Sequence, residues 1–267
     1  MKCLLFGFGS IGQRHAHNLK RIVPDCHIIM ADPFIRATSP TIIGYYASPE
    51  LAIQHHADAD FSIIASPDIS HAQQMALCAH WRIPFYVEKP ACTPEHLGSF
   101  GETIERVNTL GLRCAVGFQY RFHKNIAKAR GASSQKHLKF YARDNLRSRY
   151  GAQVGGVMLA HPIDTALWCL GPARTVEIVS DGLAAKGKIT HNSGAVSEYD
   201  CNMDVGLRIS RIEYPTGCVD LPPDDSAYVK CLSAYLDWLQ TGKRDYRTAT
   251  LEDGRAVVEV MWKCKSI

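Results

Sequence analysis

Residues 2–15 decide the fold of this chain, and they read K-C-L-L-F-G-F-G-S-I-G-Q-R-H. The apolar run 3–6 predicts a buried parallel strand, and a helix-compatible stretch occupies residues 11–22. Between them stand three glycines with the spacing G-x-G-x-x-G: Gly7, Gly9 and Gly12. A dinucleotide fingerprint needs this strand–turn–helix context. Its glycines allow a tight turn, close approach of the backbone to a pyrophosphate, and packing of the helix on the strand.

An acidic residue further along the chain supports this interpretation. Asp32 follows a second strand-like run, residues 26–31, and lies twenty residues after Gly12. A carboxylate at this position accepts hydrogen bonds from the adenosine ribose hydroxyls. The start of the helix, with Ser10 and Ile11, offers free N–H groups to the phosphates. The sequence therefore predicts a dinucleotide site, and the alternative is a glycine-rich turn in an unrelated α/β protein.

Asp32 also bears on which dinucleotide binds. An acidic residue at this position binds the free ribose 2′-hydroxyl, so we expect NAD as the cofactor. Arg36 follows closely enough to meet a 2′-phosphate, which leaves NADP open as an alternative.

The composition excludes several classes of protein. Of the 267 residues, 46% are hydrophobic and 21% are charged, as in ordinary globular proteins. No run approaches the roughly 20 apolar residues of a membrane span, and we expect no signal peptide. The net charge of +4 is spread along the chain, which argues against a nucleic-acid partner.

The ten cysteines and twelve histidines show no metal-binding spacing. No C-x-x-C pair occurs, and several cysteines stand inside apolar runs. We therefore expect reduced core cysteines, a cytoplasmic protein and no metal site.

A polar loop is expected to line the cofactor. The buried run 61–65 leads into S-P-D-I-S-H, which contains Ser66, Pro67 and His71. In open parallel sheets, ligands bind outside the carboxyl ends of the strands, so these three residues are candidates for cofactor binding. A purely structural role is the alternative for His71.

A second strand end carries two charged residues. The strand-like run 84–87 leads directly into Glu88 and Lys89, which are followed by Pro90. A lysine at the end of a buried strand can donate a hydrogen bond to a substrate oxygen. The alternative is an ordinary surface ion pair.

The pattern of elements changes after residue 118. Up to that point, strands and helices alternate as in a doubly wound parallel sheet. Beyond it, a helix over 155–170 carries His161 and Asp164 on one face, and β segments with alternating polarity follow. We predict an α/β fold with a Rossmann domain at 1–118 and an α+β domain with an open, mainly antiparallel sheet at 119–267.

Several motifs occur together in one order. These are G-F-G-S-I-G-Q-R-H, S-P-D-I-S-H, Y-V-E-K-P, G-F-Q-Y-R-F and H-P-I-D-T-A-L-W-C-L-G. In this order they resemble the Gfo/Idh/MocA family, the family of glucose-fructose oxidoreductase and inositol dehydrogenase. The resemblance implies an NAD(P)-dependent oxidoreductase of sugars, cyclitols or nucleotide sugars. It also implies a Rossmann domain followed by a substrate-binding domain whose open sheet serves for oligomerisation.

The resemblance implies roles for individual residues. Lys89 matches the active-site lysine that contacts the reacting oxygen, and Glu88 matches its neighbour, which positions cofactor and substrate. His161 matches the histidine of proton transfer, and an imidazole can indeed exchange a proton near neutral pH. Asp164 matches an aspartate that orients this imidazole or contacts the substrate.

The resemblance leaves two roles open for Tyr120 and Arg121, which either shape the substrate pocket or belong to the domain interface.

The sequence departs from the family pattern in two ways. Many family members carry a carboxylate one helical turn before the histidine, where this chain has Val157. The chain is also shorter than is usual in the family, which predicts a shortened second domain.

The predicted reaction is a reversible hydride transfer between the nicotinamide and a secondary alcohol or its ketone. In the oxidation direction His161 accepts the hydroxyl proton while Lys89 stabilises the negative charge on the oxygen. One alternative is a catalytically decayed NAD-binding sensor or partner subunit, which Val157 and the short second domain favour. Another is reduction of an imine or a conjugated double bond. We expect a sugar-like substrate, no membrane partner, and a homodimer or homotetramer formed through the C-terminal sheet.

Overall fold

The computed structural model describes two compact units. The described residues are 1–35, 42–131, 134, 136–145, 154–181 and 183–266, with the backbone alone at 145, 154–158, 204–208 and 266. The first unit comprises Met1–Phe118 and Tyr228–Arg255, and the second comprises Gln119–Ala227 and Ala256–Ile267.

Residues 228–255 belong with the first unit, whereas the sequence prediction placed them in the second domain. Packing explains the difference. Tyr235 is fully buried, and its ring lies 6.2 Å from that of Phe61 and 5.5 Å from that of Tyr86, centroid to centroid. The assignment of separate functional tasks to the two domains stays a prediction.

The first unit contains a parallel six-stranded sheet in the order β3-β2-β1-β4-β5-β6. Its strands are β1 Lys2–Phe6, β2 His27–Ala31, β3 Ile42–Tyr46, β4 Phe61–Ile64, β5 Phe85–Val87 and β6 Ala115–Val116. This confirms the predicted doubly wound sheet. The strand order reverses between β1 and β4, and a ligand crevice is expected at that point, outside the carboxyl ends of the strands.

Four helices connect these strands: α1 Ser10–Ile22, α2 Pro49–His55, α3 His71–His80 and α4 Leu97–Leu110. Their ends follow local chemistry. The side chain of Ser48 accepts a hydrogen bond from Leu51 N at 3.4 Å, and Pro49 occupies the first turn of α2. Gly111 ends α4 in the left-handed conformation, with φ of 64°.

The second unit contains a seven-stranded sheet in the order β12-β11-β7-β10-β9-β8-β13. Its strands are β7 His137–Asn145, β8 Ala173–Ser180, β9 Ala184–His191, β10 Val196–Asn202, β11 Asp204–Tyr214, β12 Gly217–Asp220 and β13 Lys265–Ser266. Only the pairs β7–β10 and β8–β13 are parallel, which confirms a mainly antiparallel sheet.

One face of this second sheet is covered by a helix. The remaining helices of the described chain are α5 Ile126–Gly131, α6 Val154–Leu170, α7 Asp225–Thr241 and α8 Leu251–Trp262. Helix α6 packs on β7, β9 and β10, and its Leu159, Ala160 and Ile163 are buried. Gly171 follows α6 with φ of 90°, the left-handed conformation that glycine commonly adopts after the end of a helix. No helix within the described residues has the length and apolar character that crossing a membrane requires.

Candidate functional site

The glycine loop follows β1, and its three glycines serve different purposes. Gly7 has φ of 86°, and a Cβ there would lie 2.6 Å from Ser66 N. A Cβ on Gly12 would lie 2.1 Å from the carbonyl oxygen of Gly7. A Cβ on Gly9 would meet no atom within 4 Å. The packing of the chain therefore requires Gly7 and Gly12, whereas Gly9 leaves open space beside the backbone.

This open space lies at the N-terminus of α1. Gly9 is the N-cap residue, and no side chain caps the helix there. Ser10 is exposed and Ile11 is half-buried. The first N–H groups of α1 and the positive end of its dipole are thus available to an anionic group, as a pyrophosphate site requires.

Asp32 follows β2 and is buried, with 7% of its surface exposed. Its Oδ2 accepts a hydrogen bond from Phe8 N, and its Oδ1 accepts from Phe34 N and Ile35 N, each at 2.8 Å. A carboxylate has about four lone-pair sites. Oδ2 therefore keeps capacity for a further donor such as a hydroxyl. Arg36, the candidate for a 2′-phosphate, lies outside the described residues.

His71, at the start of α3, connects the loop after β4 with the segment after β5. Its Nε2 lies 2.9 Å from the carbonyl oxygen of Ser66, and its Nδ1 lies 2.9 Å from that of Pro90. Burial lowers the pKa of His71, although both carbonyls act in the opposite direction. A neutral imidazole has one N–H and can donate to only one of these oxygens. Both contacts are to the backbone, which favours a structural role for His71. Pro67 lies in the same loop and is exposed.

Glu88, directly after β5, forms a buried pair with a residue that the sequence did not single out. His15 Nε2 lies 2.7 Å from Glu88 Oε1, and the two side chains are 0% and 7% exposed. Burial raises the pKa of Glu88, but the hydrogen bond and charge of His15, followed by the charge of Lys89, outweigh it. The pKa of this carboxyl consequently lies below its usual value.

Lys89 lies beside this pair. Its backbone N–H donates to Glu88 Oε2 at 3.3 Å. Burial lowers the pKa of the Lys89 ammonium below its ordinary value, and the charges of Glu88 and Asp68 oppose this shift only in part. Lys89 is half-buried, so its ammonium can hold positive charge close to a reacting oxygen with less screening than in open water.

His161 lies on α6 in the second unit and is 8% exposed. Its ring stacks on the ring of Tyr120, with centroids 4.2 Å apart and planes 5° from parallel. Gln119 Nε2 lies 3.0 Å from His161 Nε2. The 3₁₀ turn Gln119–Phe122 therefore supplies two neighbours that fix the orientation of this imidazole.

The same turn forms a buried ion pair with α6. Arg121 Nε lies 3.1 Å and 3.0 Å from the two carboxylate oxygens of Asp164, and Arg121 Nη2 lies 2.5 Å from Oδ1. The side chains are 3% and 0% exposed. These contacts favour a structural role for both residues, since the pair joins the turn to the helix.

The structure thus groups the candidate residues by unit. The first unit brings together Gly7, Gly9, Ser10, Ile11, Gly12, Asp32, Ser66, Pro67, His71, Glu88 and Lys89 at the carboxyl ends of its strands. The second unit brings together Tyr120, Arg121, His161 and Asp164. In the part of the chain that the structure describes, no group of three or more His, Cys, Asp or Glu residues is arranged to hold a metal ion.

Known proteins resemble this chain in sequence and in structure, although no protein-family model matches it. The scyllo-inositol 2-dehydrogenase (NAD(+)) of Bacillus subtilis is 24% identical over 233 residues, which are 81% of this chain and 65% of that protein. The inositol 2-dehydrogenase of Mycolicibacterium smegmatis is 25% identical over 134 residues, which are 48% of this chain and 38% of that protein. The chain therefore spans less than two thirds of either curated relative.

A solved structure shows the same fold over almost the whole chain. The scyllo-inositol dehydrogenase of Lactobacillus casei, solved with bound NAD(H) and scyllo-inositol, superposes with a TM-score of 0.83 at 15% identity. The match covers 99% of this chain and 95% of that structure. The fold is accordingly that of a Rossmann sheet followed by a mainly antiparallel second sheet. Together with the similarity to the two curated inositol dehydrogenases, this fold confirms the resemblance of the sequence motifs to the Gfo/Idh/MocA family.

Proposed function

We propose that this chain is an NAD-dependent dehydrogenase that transfers a hydride between the nicotinamide and the CH–OH carbon of a cyclitol or a related sugar. The observation that carries the proposal is the grouping at the carboxyl ends of the first sheet. The open backbone at Gly9, the carboxylate of Asp32 and the ammonium of Lys89 all follow strands of one parallel sheet. Ligands of such sheets bind at this edge.

The residues present fit a dinucleotide. The space beside Gly9, which a Cβ would fill, suits the pyrophosphate, and the N-terminus of α1 would stabilise its charge. The free acceptor capacity of Asp32 Oδ2 suits a ribose hydroxyl. Ser66 and Pro67 would line the same edge. When bound, NAD supplies the hydride acceptor, and the protein orients it and moves the proton.

Two residues carry the proton and charge in this proposal. His161 takes the proton of the substrate hydroxyl during oxidation and returns it during reduction. Lys89 stabilises the negative charge that develops on the same oxygen. Lys89 suits this task because the neighbouring Glu88 carboxylate favours its charged form and its half-buried position screens that charge less than open water does.

The relatives support a polyhydroxylated ring as the substrate class. Both curated relatives are named inositol dehydrogenases, and one name includes NAD(+). These names support an enzyme over an NAD-binding sensor, and oxidation of CH–OH over reduction of an imine or a conjugated double bond.

We also propose that the protein works in a reducing compartment such as the cytoplasm. Every cysteine is free in the part of the chain that the structure describes, and seven of the ten are buried, which supports this location.

We further propose a homo-oligomer formed through the second sheet. The β10 strand has one covered face, with Ser197, Tyr199 and Cys201 buried between half-buried neighbours. Its other face supports this proposal.

A cofactor titration followed by a substrate screen tests the function. Purified protein is titrated with NADH and NADPH while nicotinamide fluorescence is recorded, and inositols, their ketones and sugars are then screened for a change in absorbance of the reduced nicotinamide. We expect NADH to bind more tightly than NADPH and at least one cyclitol or sugar to react. Tight binding without any turnover would favour the sensor, and no binding of either cofactor would overturn the proposal.

Two variants assign the roles within this experiment. Lys89→Met and His161→Asn are each expected to lower kcat/KM by about 100-fold or more, the scale of positioned acid–base and charge stabilisation, while NADH still binds. Lys128→Met is the matched control, because Lys128 is exposed on α5. Retention of full activity by either site variant would remove that residue from the mechanism.

A further inference from the structure

His15, on α1, forms a buried hydrogen bond with the carboxylate next to Lys89. His15 Nε2 lies 2.7 Å from Glu88 Oε1, and the two side chains are 0% and 7% exposed. An ionised carboxylate offers only lone pairs, so the ring Nε2 carries an N–H and donates it. The direction of this hydrogen bond therefore follows from the chemistry of the two groups.

Two aromatic rings pack against the imidazole and hold it in this orientation. The His15 ring lies edge-on to the rings of Tyr86 and Tyr228, with centroids 5.5 Å and 6.5 Å away. In the neutral ring Nδ1 holds a lone pair, and this atom has no hydrogen-bond partner among the residues that the structure describes. Within that part of the chain, the imidazole thus directs its one hydrogen bond at Glu88.

The carboxylate of Glu88 is enclosed from two further directions. Its Oε2 accepts a hydrogen bond from the Lys89 backbone N–H at 3.3 Å. A Cβ on Gly117, the residue after β6, would lie 3.1 Å from Glu88 Oε1, so the carboxylate uses space that this glycine leaves free. Helix α1 and the segments after β5 and β6 together determine where the charge of Glu88 lies.

We propose that His15 is a positioning residue that holds the Glu88 carboxylate and, through Glu88, fixes the position and the charge of Lys89. The Glu88 carboxylate favours the charged form of Lys89, because opposite charges at short range stabilise each other. In this role His15 transfers no proton. The inference rests on the proposed function for its catalytic meaning, but the hydrogen bond itself can be tested without turnover.

Helix α1 has two tasks in this proposal. Its first turn borders the space beside Gly9 that we propose for the pyrophosphate, and His15 follows Gly12 by one helical turn. The helix that would bind the cofactor phosphates thus also carries the donor that holds Glu88.

Other titratable groups face this segment from neighbouring elements. Asp68, in the turn before α3, favours the charged form of Lys89 as Glu88 does. Besides His15 and Lys89, the described groups that interact electrostatically with Glu88 include His71 and Tyr86. The test variants therefore change His15 and leave these groups in place.

Carbon NMR of the glutamate carboxyls tests the hydrogen bond directly. The intact protein is labelled with glutamate carrying ¹³C at its side-chain carboxyl, and the Glu88 signal is identified by its loss in Glu88→Gln. The pKa of Glu88 lies below its usual value, so at about pH 5 the wild type should show an ionised carboxylate. In His15→Asn burial is no longer opposed by the donor, and the titration midpoint should rise by about 1 pH unit or more. An unchanged midpoint would overturn the inference.

Further variants separate the donor from the shape of the side chain. The amide nitrogen of His15→Gln can occupy the place of Nε2 and should keep Glu88 ionised, whereas the shorter side chain of His15→Asn cannot reach the carboxylate. His15→Phe keeps a ring but has no donor, so it should behave as His15→Asn, and either of these two variants alone decides the inference. His17→Gln, at an exposed position of the same helix, is the control.

Kinetics then connect the hydrogen bond to Lys89. His15→Asn should lower kcat about tenfold or more with little change in the KM for NAD⁺, because the reacting groups are misplaced rather than the cofactor lost. His15→Gln should recover most of this loss. A pair with a merely structural role would lower stability and leave kcat of the folded variants unchanged, and that result would refute the positioning role. Absence of turnover in the wild type would refute the proposed function, while the NMR result would still decide whether His15 holds Glu88.

Discussion

Asp32 holds the glycine loop through Phe8, whose backbone N–H donates to Asp32 Oδ2 across 2.8 Å. The carboxylate at the end of β2 is thus bonded to the turn that follows β1, while its Oδ1 secures the backbone at Phe34 and Ile35. A residue that the spacing predicts as a ribose acceptor therefore also fixes the shape of the loop beside the position that we propose for the pyrophosphate.

Asp32→Asn should weaken both tasks. An asparagine has one acceptor oxygen, so its NH₂ group would face at least one of the backbone N–H donors that the carboxylate now satisfies. We expect a loss of about 1–3 kcal/mol of unfolding free energy and roughly tenfold weaker NADH binding. The affinity for NADPH should fall less, so the difference in affinity between NADH and NADPH should become smaller. Urea denaturation and fluorescence titration measure these effects, with Asp25→Asn, at an exposed position, as the control. An unchanged preference would contradict the role of Asp32 at the ribose.

Alanine at Gly9 and at Gly12 should separate ligand binding from folding. A Cβ at Gly12 meets the carbonyl oxygen of Gly7 at 2.1 Å, so Gly12→Ala should cost about 1–3 kcal/mol of stability or more. A Cβ at Gly9 meets nothing within 4 Å. Gly9→Ala should therefore melt like the wild type and bind NADH at least tenfold more weakly, because the methyl group fills space proposed for the pyrophosphate. Gly98→Ala, also in open space, is the control, and normal NADH binding by Gly9→Ala would argue against a phosphate at this position.

Glu88 should make the stability depend on pH. A carboxyl whose pKa is lower in the folded state than in the unfolded state stabilises the fold at pH values above its unfolded-state pKa. This contribution disappears as the pH falls through the folded-state pKa. The pKa of Glu88 is lowered, so the wild type should exceed Glu88→Gln in stability by about 1–3 kcal/mol near neutral pH. Below about pH 4 the two should converge. Urea denaturation across this range measures the difference, and a gap that grew on acidification would show that the sign is wrong.

The Arg121–Asp164 pair should be worth far more to stability than an exposed pair. Asp164→Asn removes one charge of a pair that is 3% and 0% exposed and leaves a buried guanidinium, which costs about 3–5 kcal/mol. Asp245→Asn, in a pair with Arg247 that is 27% and 37% exposed, should cost at most about 1 kcal/mol. Thermal denaturation compares the two variants. Equal stability of Asp164→Asn and the wild type would instead favour a role for Asp164 in substrate binding.

Local patterns along the chain predicted the first sheet well. The glycine spacing and the apolar strands both act within a few residues, and the structure confirms the doubly wound sheet that they indicate. Asp32 was identified because it lies at a fixed distance along one β-α-β unit. Its bonds to the backbone of the glycine loop follow only from the fold.

Long-range pairs escaped the sequence analysis because no local pattern marks them. His15 and Glu88 stand 73 residues apart and meet only when the folded chain brings α1 to the segment that follows β5. Gln119 and His161 stand 42 residues apart, and a glutamine carries no signal of its partner. Residues 228–255 join the first unit through buried rings such as that of Tyr235. Amphipathic periodicity does not specify the unit against which such a ring packs.

Transfer of deuterium from substrate to cofactor tests the proposed dehydrogenase most directly. A cyclitol that reacts in the screen is deuterated at its CH–OH carbons and incubated with the protein and NAD⁺, and the reduced cofactor is examined by mass spectrometry. Direct hydride transfer predicts NADH that is heavier by one deuterium, formed by the wild type and about 100-fold or more slowly by Lys89→Met and His161→Asn. Reduced cofactor without deuterium, or no reduced cofactor with any cyclitol or sugar although NAD⁺ binds, would contradict the proposed reaction.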